Sequence, residues 1–227
     1  MSASTLNPKL RRADQAYETI RSWLLEGRWQ PGEIISTYAL SELLGLSRSP
    51  IQEALKRLEQ EGLVEIIPQV GCRILVPTSE DVAEVFTIRA VLEGLAAERA
   101  ATEITQEELG ELRQILAASE EAAQARDGKR YEALNRAFHS AIVRAARMPR
   151  LEKLLRNLWM LGRYQLASVP FLGQRAPLSL QEHREILKAL EDRDPKRARE
   201  TLEAHLRACS RDFSLNLPKS RLDRYTA

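Results

Sequence analysis

YALSELLGLSRSPIQEALKRLEQEG, the stretch from Tyr38 to Gly62, predicts two short helices around a tight turn. Apolar residues at helical spacing give the first helix one inward face. Gly45 ends that helix, because glycine readily adopts the left-handed conformation found at helix C-termini. The pattern is typical of a helix-turn-helix. The inward residues of the first helix are Ala39, Leu40, Leu43 and Leu44.

The second helix begins at one of two serines. Ser47 and Ser49 both offer a hydroxyl that can cap a helix. Ser49 is followed by Pro50 at the first helical position and by Gln52 in the capping-box position. The pattern leaves both starts open. The residues of this helix that face inward are Ile51, Ala54, Leu55 and Leu58.

Three polar side chains form a row on the opposite side of the second helix. Arg48, Gln52 and Lys56 recur every fourth residue, so they share one face. An arginine can donate two hydrogen bonds to guanine, a glutamine can pair with adenine, and a lysine can neutralise a phosphate. The row indicates a face that fits the major groove of DNA. Taken alone, it also fits the solvated face of an ordinary amphipathic helix.

Two short strands follow this helix. Residues 64–67 (VEII) and 73–76 (RILV) are rich in branched side chains, and residues 68–72 (PQVGC) separate them. They predict a hairpin, or wing, that uses the helix pair as its floor. Its tip at residues 69–71 is free to reach a DNA backbone or minor groove. Helix, helix, turn, helix and hairpin form a far more specific pattern than the polar row alone.

The run GLSRSPIQEALKRLEQEGLVEIIPQVGCRI, residues 45–74, resembles the DNA-binding half of the GntR family of bacterial transcription regulators. The resemblance implies that Arg48 reads bases and that the wing glycine Gly71 approaches the DNA. Gln52 and Tyr38 differ from the residues usual at their positions, which bears on the operator sequence. The residues predicted to bind DNA are Tyr38, Arg48, Ser49, Gln52, Lys56, Gln69 and Gly71.

The length of 227 residues predicts two domains of unequal size. The boundary falls after the wing, at Pro77, which separates a winged helix-turn-helix domain at residues 1–77 from an all-helical domain at residues 78–227. Residues 1–10 show no periodicity and are expected to be flexible. Residues 1–78 contain as many basic as acidic residues, so a DNA-binding function depends on where the positive charges lie.

The cysteine content and the hydropathy of the sequence predict the cellular compartment of the protein. Cys72 and Cys209 are the only cysteines and lie far apart in the chain, so a disulfide framework is not expected. The N-terminus lacks a signal-peptide pattern, and no stretch is long and apolar enough to span a membrane. The expectation is a cytoplasmic protein with no membrane partner.

A helix is predicted ahead of the helix-turn-helix, and the chain after the wing is predicted to be mostly helical. Thr105 with Glu108 and Ser179 with Glu182 fit capping boxes, and Ser79 and the Asp194-Pro195 pair mark further helix starts. Residues 170–177 (PFLGQRAP) are expected to be irregular. The fold class is therefore mainly α, with a small hairpin. The predicted helices span residues 12–26, 80–102, 106–126, 129–147, 150–168, 180–192 and 195–215.

All three histidines lie in the helical domain. Asn135 precedes His139 by one helical turn, and His183 and His205 lie on the last two helices. Imidazoles brought together from several helices can build a site for zinc, nickel, copper or iron in a bundle. For any single histidine, an ordinary place at the edge of the core or in water is the simpler interpretation.

Residues 88–101 (IRAVLEGLAAERAA) resemble the opening of the FCD effector domain of the FadR-type branch. Many such domains bind a divalent metal through one aspartate and three histidines. The resemblance implies that His139, His183 and His205 are ligands, with Asn135 in the aspartate's place. An asparagine removes one negative charge, which weakens metal binding and leaves room for water or a ligand carboxylate. The expected cofactor is a divalent transition metal, with zinc or nickel leading.

Two arginines are predicted to bind an effector. Arg89 matches an arginine that, in relatives with small-acid effectors, faces the same cavity and takes a carboxylate through two hydrogen bonds. A structural salt bridge from Arg89 to Glu93 is an equally good interpretation. Arg163 is a weaker candidate for the same role.

These patterns predict a transcription regulator, and a repressor rather than an activator, that binds a two-fold operator as a homodimer. A small organic acid, a divalent metal, or both would modulate its binding to double-stranded DNA. Two alternatives remain at this stage. One is a metal-dependent enzyme, although HExxH is missing and Glu182 beside His183 faces another way on a helix. The other is a DNA-binding regulator with a purely structural metal.

Overall fold

The structure of the chain, a computed structural model, describes residues 12–166, 172–215, 217 and 219. The predicted flexibility of residues 1–10 lies outside the described residues, as do the last two residues of the helix predicted at 150–168. The elements are α1 (Arg12–Leu25), β1 (Ile34–Ser36), α2 (Thr37–Leu44), α3 (Arg48–Gln60), β2 (Val64–Ile67), β3 (Gly71–Ile74), α4 (Ser79–Glu103), α5 (Gln106–Gln124), α6 (Gly128–Ala145), α7 (Pro149–Leu166), α8 (Leu172–Glu191) and α9 (Pro195–Ser214).

Helices α1–α3 and the three strands form an N-terminal unit, called here the winged unit. The sheet is antiparallel, with strand order β1-β3-β2. The sequence predicted only the hairpin, and β1 was missed because a three-residue strand carries too little pattern. The second wing strand begins at Gly71 rather than at residue 73, because pairing with β1 brings Ser36 opposite Gly71.

Local signals fix several helix ends as predicted. Gly45 has a φ of 64° at the end of α2. Thr105 and Glu108 form a capping box at α5, and Asp194 caps α9 ahead of Pro195. At the start of α3 the structure selects Ser47 as the N-cap residue, although its side chain makes no capping hydrogen bond.

Two predicted helix starts are wrong in detail. Helix α4 is capped by Thr78, one residue before the predicted Ser79, because Thr78 and Asp81 complete a reciprocal capping box. Ser179 does not cap a helix. It lies inside α8, where its hydroxyl accepts a hydrogen bond from Arg175. The segment predicted to be irregular is helical from Leu172 onward.

Helix α8 therefore contains a proline, Pro177. A proline inside a helix normally removes one backbone hydrogen bond and disfavours the helix on local grounds. Here Arg175, Ala176, Ser179 and Leu180 around it are all buried. Tertiary packing at this turn prevails over the local preference, which is why the sequence pattern gave the wrong answer.

Helices α4–α9 form the second unit, called here the helical unit, in which α4 packs along α9. Its core is made of leucine, alanine and aromatic side chains. A separate core fills the winged unit, and it also includes Met160 and Tyr164 from α7. Tyr164 Oη donates to the carbonyl of Leu75 over 2.5 Å. Helix α7 therefore joins the two units. Across the described residues, the search for a helix able to cross a membrane found none.

Candidate DNA-binding face and buried histidine site

Helix α3 and the wing form a groove on the outside of the winged unit. Its volume is about 650 Å³. Ser49 is exposed at the start of α3 but does not line it. Six of the seven residues predicted to bind DNA line the groove, namely Tyr38, Arg48, Gln52, Lys56, Gln69 and Gly71.

The row Arg48, Gln52 and Lys56, called here the reading face, is exposed. Within the described chain, no ion pair engages Arg48 or Lys56. Arg57, on the side of α3 that meets α1, pairs with Asp14 at 2.8 Å and lies over the ring of Tyr17. Basic residues of one helix thus have two roles. Arg57 holds α3 against α1, whereas the hydrogen-bond donors of the reading face are exposed and available to a partner.

The wing tip is exposed, and Gln69 takes a positive φ of 64° there. Gly71 has a role in the fold itself. It is buried, and an added Cβ would lie 2.0 Å from the carbonyl oxygen of Ile35. The close approach of β1 requires a glycine at this position. Contact between its backbone and DNA stays a prediction.

The three histidines converge inside the helical unit and are called here the histidine cluster. His139 lies on α6, His183 on α8 and His205 on α9, and all three are buried. One nitrogen of each lies within 4.8 Å of the others. His183 Nε2 is 3.3 Å from His205 Nε2. The separate positions along the sequence therefore become one compact donor set.

A buried carboxylate holds the first histidine. Glu93 on α4 has no exposed surface, and its Oε2 is 2.7 Å from His139 Nδ1. Its Oε1 accepts from Arg89 Nε at 2.8 Å and from Trp159 Nε1 at 2.7 Å. Burial by itself raises the pKa of Glu93, but the charges of Arg89 and His139 and their hydrogen bonds hold it well below its usual range. Glu93 is therefore an anion at the base of the site.

A second carboxylate holds His205 in the same manner. Glu182 Oε2 lies 2.6 Å from His205 Nδ1. Both oxygens of Glu182 accept from Arg175, each over 2.9 Å, and Arg175 also donates to Asp212. The Glu182 side chain that sequence reasoning assigned to a helix cap thus orients a histidine instead.

This donor set fits a divalent transition metal. Because Nδ1 of His139 and of His205 meets a carboxylate, Nε2 of each ring is left for the centre of the cluster. Burial lowers the pKa of His183 and of His205 well below the usual value. Neutral imidazoles are the form that binds metal. Cys209 lies 3.7 Å from His205 Nε2, but burial raises the pKa of its thiol to about 12.

A cavity of about 280 Å³ opens beside His139 and is called here the interdomain cavity. Asn135, Arg89 and Arg163, three residues predicted from the sequence, all line it together with His139. His183 and His205 do not line it. Arg89 forms the salt bridge to Glu93 that was the alternative interpretation, and it lines the cavity as well.

Sequence reasoning missed other charged residues of the cavity. Glu132 and Arg136, one turn apart on α6, line it, as do Trp159 and Glu26. Glu132 accepts from Arg136 at 3.2 Å and lies 3.5 Å from Arg163. The available signal was the spacing of Glu132 and Arg136 around Asn135 on the face that carries His139. Glu26 gave no such signal, because it belongs to the winged unit.

A winged helix-turn-helix with a free basic face, joined to a helical unit with a cavity and a buried donor set, defines a transcription regulator. Residues 12–74 match the family described as bacterial regulatory proteins, gntR family, and residues 84–208 match the FCD domain. The chain belongs to the GntR family and carries an FCD domain. FCD domains of GntR regulators can bind metals.

Curated relatives agree with this assignment. The chain is 32% identical over 193 residues to the uncharacterized HTH-type transcriptional regulator YdhC of Bacillus subtilis, covering 84% of this chain and 86% of the relative. It is 31% identical over 198 residues to a probable D-xylose utilization operon transcriptional repressor of Paenarthrobacter nicotinovorans, covering 86% of each chain. These relatives are transcription regulators rather than enzymes, which removes the enzyme alternative.

Solved structures support the fold. The structure of McbR/YncC of E. coli aligns with a TM-score of 0.70 at 24% identity, covering 90% of this chain and 97% of the other. A GntR regulator from Rhodococcus aligns with a TM-score of 0.71 at 23% identity, covering 89% and 97%. Both confirm a mainly α chain in which a winged helix-turn-helix precedes a helical domain.

Proposed function

We propose that this chain is a transcriptional repressor whose operator binding is modulated by a small carboxylate and a divalent metal. One observation carries the proposal. His139 belongs to the histidine cluster and at the same time lines the interdomain cavity. A ligand in the cavity would therefore meet the metal site on one side and the winged unit on the other.

The reading face supplies the contacts to DNA. Arg48 and Gln52 are placed for base edges in the major groove and Lys56 for a phosphate, while the wing tip at Gln69 reaches toward the adjacent backbone. Tyr38 donates to Glu42 over 2.8 Å, which holds its exposed ring at the edge of the groove. Ser49 is placed at the start of α3 for a phosphate contact.

The operator is proposed to be two-fold and the protein a homodimer, because one recognition helix reads only a few base pairs. Helix α4 carries an exposed apolar stripe, with Ile88, Val91 and Leu95 exposed by 42%, 45% and 38%. These positions share one helical face. Apolar stripes of this kind mark association surfaces, and a second copy of the chain is the proposed occupant. The proposed domain boundary after residue 77 separates the winged unit, which recognises DNA, from the helical unit, which forms the dimer.

The histidine cluster would hold the metal through His139, His183 and His205, with zinc or nickel the leading candidates. Bound there, the metal would supply a Lewis-acidic centre to which a carboxylate can coordinate. Asn135 lies one turn from His139 and offers only a neutral carbonyl oxygen. The charge that an aspartate would supply is then left for the ligand carboxylate to provide. Arg89 and Arg163 bind that ligand from the cavity wall.

A purely structural metal is the second candidate. The observation that favours it is the extent of the cluster, because its rings and carboxylates tie together α4, α6, α8 and α9. A metal at this position would stabilise the unit whether or not a ligand binds. The two candidates differ in one outcome, which is whether a carboxylate binds to the metal-loaded protein and changes its affinity for DNA.

The test begins with native mass spectrometry and elemental analysis of the purified protein. We expect a dimer with about one transition metal per chain. A duplex is then selected from a random DNA pool by the protein itself, and its affinity is measured with and without malonate, succinate or citrate. A carboxylate that binds and weakens DNA binding supports the proposal. A metal-free protein refutes the metal site, and a metal-loaded protein that binds none of the three acids favours the structural metal.

A further inference from the structure

The interdomain cavity is walled by both units of the chain. Leu25, Glu26 and Gly27, at the end of α1, form the wall from the winged unit. Gly27 has a φ of 71°, so the chain turns sharply at this wall as it leaves α1. The opposite wall belongs to α4, α6 and α7 of the helical unit. A molecule that fills the cavity is therefore in contact with the winged unit directly.

Helix α7 gives a second physical connection between the cavity and the winged unit. Trp159 and Arg163, one turn apart, line the cavity. Met160 and Tyr164, also one turn apart, pack into the core of the winged unit. One helix thus presents adjacent faces to the ligand space and to the DNA-binding fold. Any change in how the winged unit docks must alter the cavity wall.

The charges around the cavity are unevenly paired. Arg136 and Arg163 share the single carboxylate of Glu132, so this wall keeps positive charge for an anion. Glu26 stands on the wall formed by the winged unit. It accepts a hydrogen bond from the neutral hydroxyl of Ser22 at 2.7 Å, and no cation among the described residues forms an ion pair with it. An anion in the cavity meets attraction from one unit and repulsion from the other.

We propose that Glu26 is the residue through which the winged unit senses an anionic ligand in the interdomain cavity. This inference rests on the proposed function, because it assumes that a carboxylate binds there. An anion held by Arg136 and Arg163 raises the free energy of the docked arrangement by repelling Glu26. Linkage then requires that the position of the winged unit, and hence DNA binding, changes the affinity for the anion by the same factor.

The inference also names the ligand class, which is a small dicarboxylate. One carboxylate would lie beside His139 and Asn135, and the second would lie beside Arg136 and Arg163, because all four residues line the cavity. Residues of the helical unit would neutralise both carboxylates of the ligand. The second carboxylate would be the one that faces Glu26. A ligand that has an amide in place of that carboxylate keeps the same shape with one charge fewer. Succinate and succinamate form such a matched pair.

The experiment uses the full chain loaded with metal and a duplex selected by the wild-type protein. Calorimetry gives the dissociation constants of malonate, succinate, citrate and succinamate with and without saturating duplex, and the ratio of the two constants measures coupling. We expect the coupling ratio of Glu26→Gln for a dicarboxylate to be closer to one than the wild-type ratio, by a factor of about three or more. Glu18→Gln is the control, because Glu18 lies on α1, the helix that leads into Glu26, is 57% exposed and does not line the cavity.

Each outcome decides a different point. A Glu26→Gln protein that binds the dicarboxylate but keeps the wild-type ratio overturns the role of Glu26, and so does an equal change in Glu18→Gln. Equal wild-type ratios for succinate and succinamate overturn the dicarboxylate assignment. If no acid binds the wild-type protein, or if the wild-type ratio is one, the proposed function itself fails.

Discussion

The reading face and the histidine cluster are built on opposite physical principles. Arg48, Gln52 and Lys56 lie on one helix, are exposed and keep their donors free. His139, His183 and His205 come from three helices, are buried, and two of them are held by carboxylates. A DNA-binding face can remain solvated until its partner arrives. A metal site must be organised before binding, because buried donors without fixed partners are costly.

The largest effect is expected at the cluster. His183→Ala removes one of three imidazole ligands, so the metal content should fall from about one per chain to almost none after dialysis. Apart from His183, no histidine, cysteine, aspartate or glutamate among the described residues lies close enough to both His139 and His205 to replace the lost ligand. Elemental analysis measures the result, and circular dichroism checks that the variant is folded. If the folded variant still contained about one metal per chain, the metal would bind at another place in the protein.

Gly71→Ala tests whether the wing glycine serves DNA or the fold. Its added Cβ would lie 2.0 Å from the carbonyl oxygen of Ile35. We expect a loss of about 1–3 kcal/mol in the free energy of unfolding. Chemical denaturation of the metal-loaded protein measures it, with Gly110→Ala as control, because nothing lies within 4 Å of a Cβ at Gly110. Unchanged stability combined with weakened DNA binding would show that Gly71 serves DNA binding rather than the fold.

Arg48→Ala tests the reading face. We expect about 1–3 kcal/mol less discrimination between the selected duplex and random DNA for each half-site, because a two-pronged contact to guanine is lost. Lys56→Ala should instead weaken binding to both duplexes similarly, and should lower the salt dependence of binding by about one ion. Fluorescence anisotropy at several salt concentrations separates the two effects. Full discrimination by Arg48→Ala would show that bases are read elsewhere.

The last prediction concerns Glu93, which supports the cluster without belonging to the set of three histidines. Glu93→Gln keeps the shape but removes the charge that meets His139 and Arg89. We expect metal affinity to fall by roughly 10- to 100-fold, measured by competition with a chelator. Glu98→Gln, on the same helix and in an exposed ion pair, should leave affinity unchanged. Equal affinities in Glu93→Gln and wild type would reduce Glu93 to a packing role.

Much of the fold follows from local patterns in the sequence. The two helices around Gly45, the hairpin and the capped starts of α5 and α9 depend on residues within a few positions of one another. The reading face is equally local, since its residues recur at every turn of α3. Local geometry fixes which way the side chains of α3 point, and its predicted inward residues are buried. In α2 the inward prediction is wrong for Leu43, which is 49% exposed, because one apolar face of a short helix is wider than the surface it packs against.

Features that depend on distant contacts could not be predicted in this way. The sequence placed an irregular segment where α8 begins, because Pro177 is unfavourable in a helix when only neighbours are considered. Glu182 was assigned to a helix cap, and only the packing of α8 against α9 shows that it holds His205. Glu93 was visible only as a possible salt-bridge partner of Arg89.

The sequence alone determined the class of protein, the exposed polar row of α3 and the three histidines of the helical unit, because repeating patterns and short motifs carry that information. Only the tertiary structure decided that Glu93 and Glu182 orient two of those histidines. It also decided that Glu26 of the winged unit lines the cavity beside His139. Both facts depend on how helices far apart in the chain pack together, and the hydrophobic pattern that drives such packing is not specific enough to name the polar partners it brings into contact.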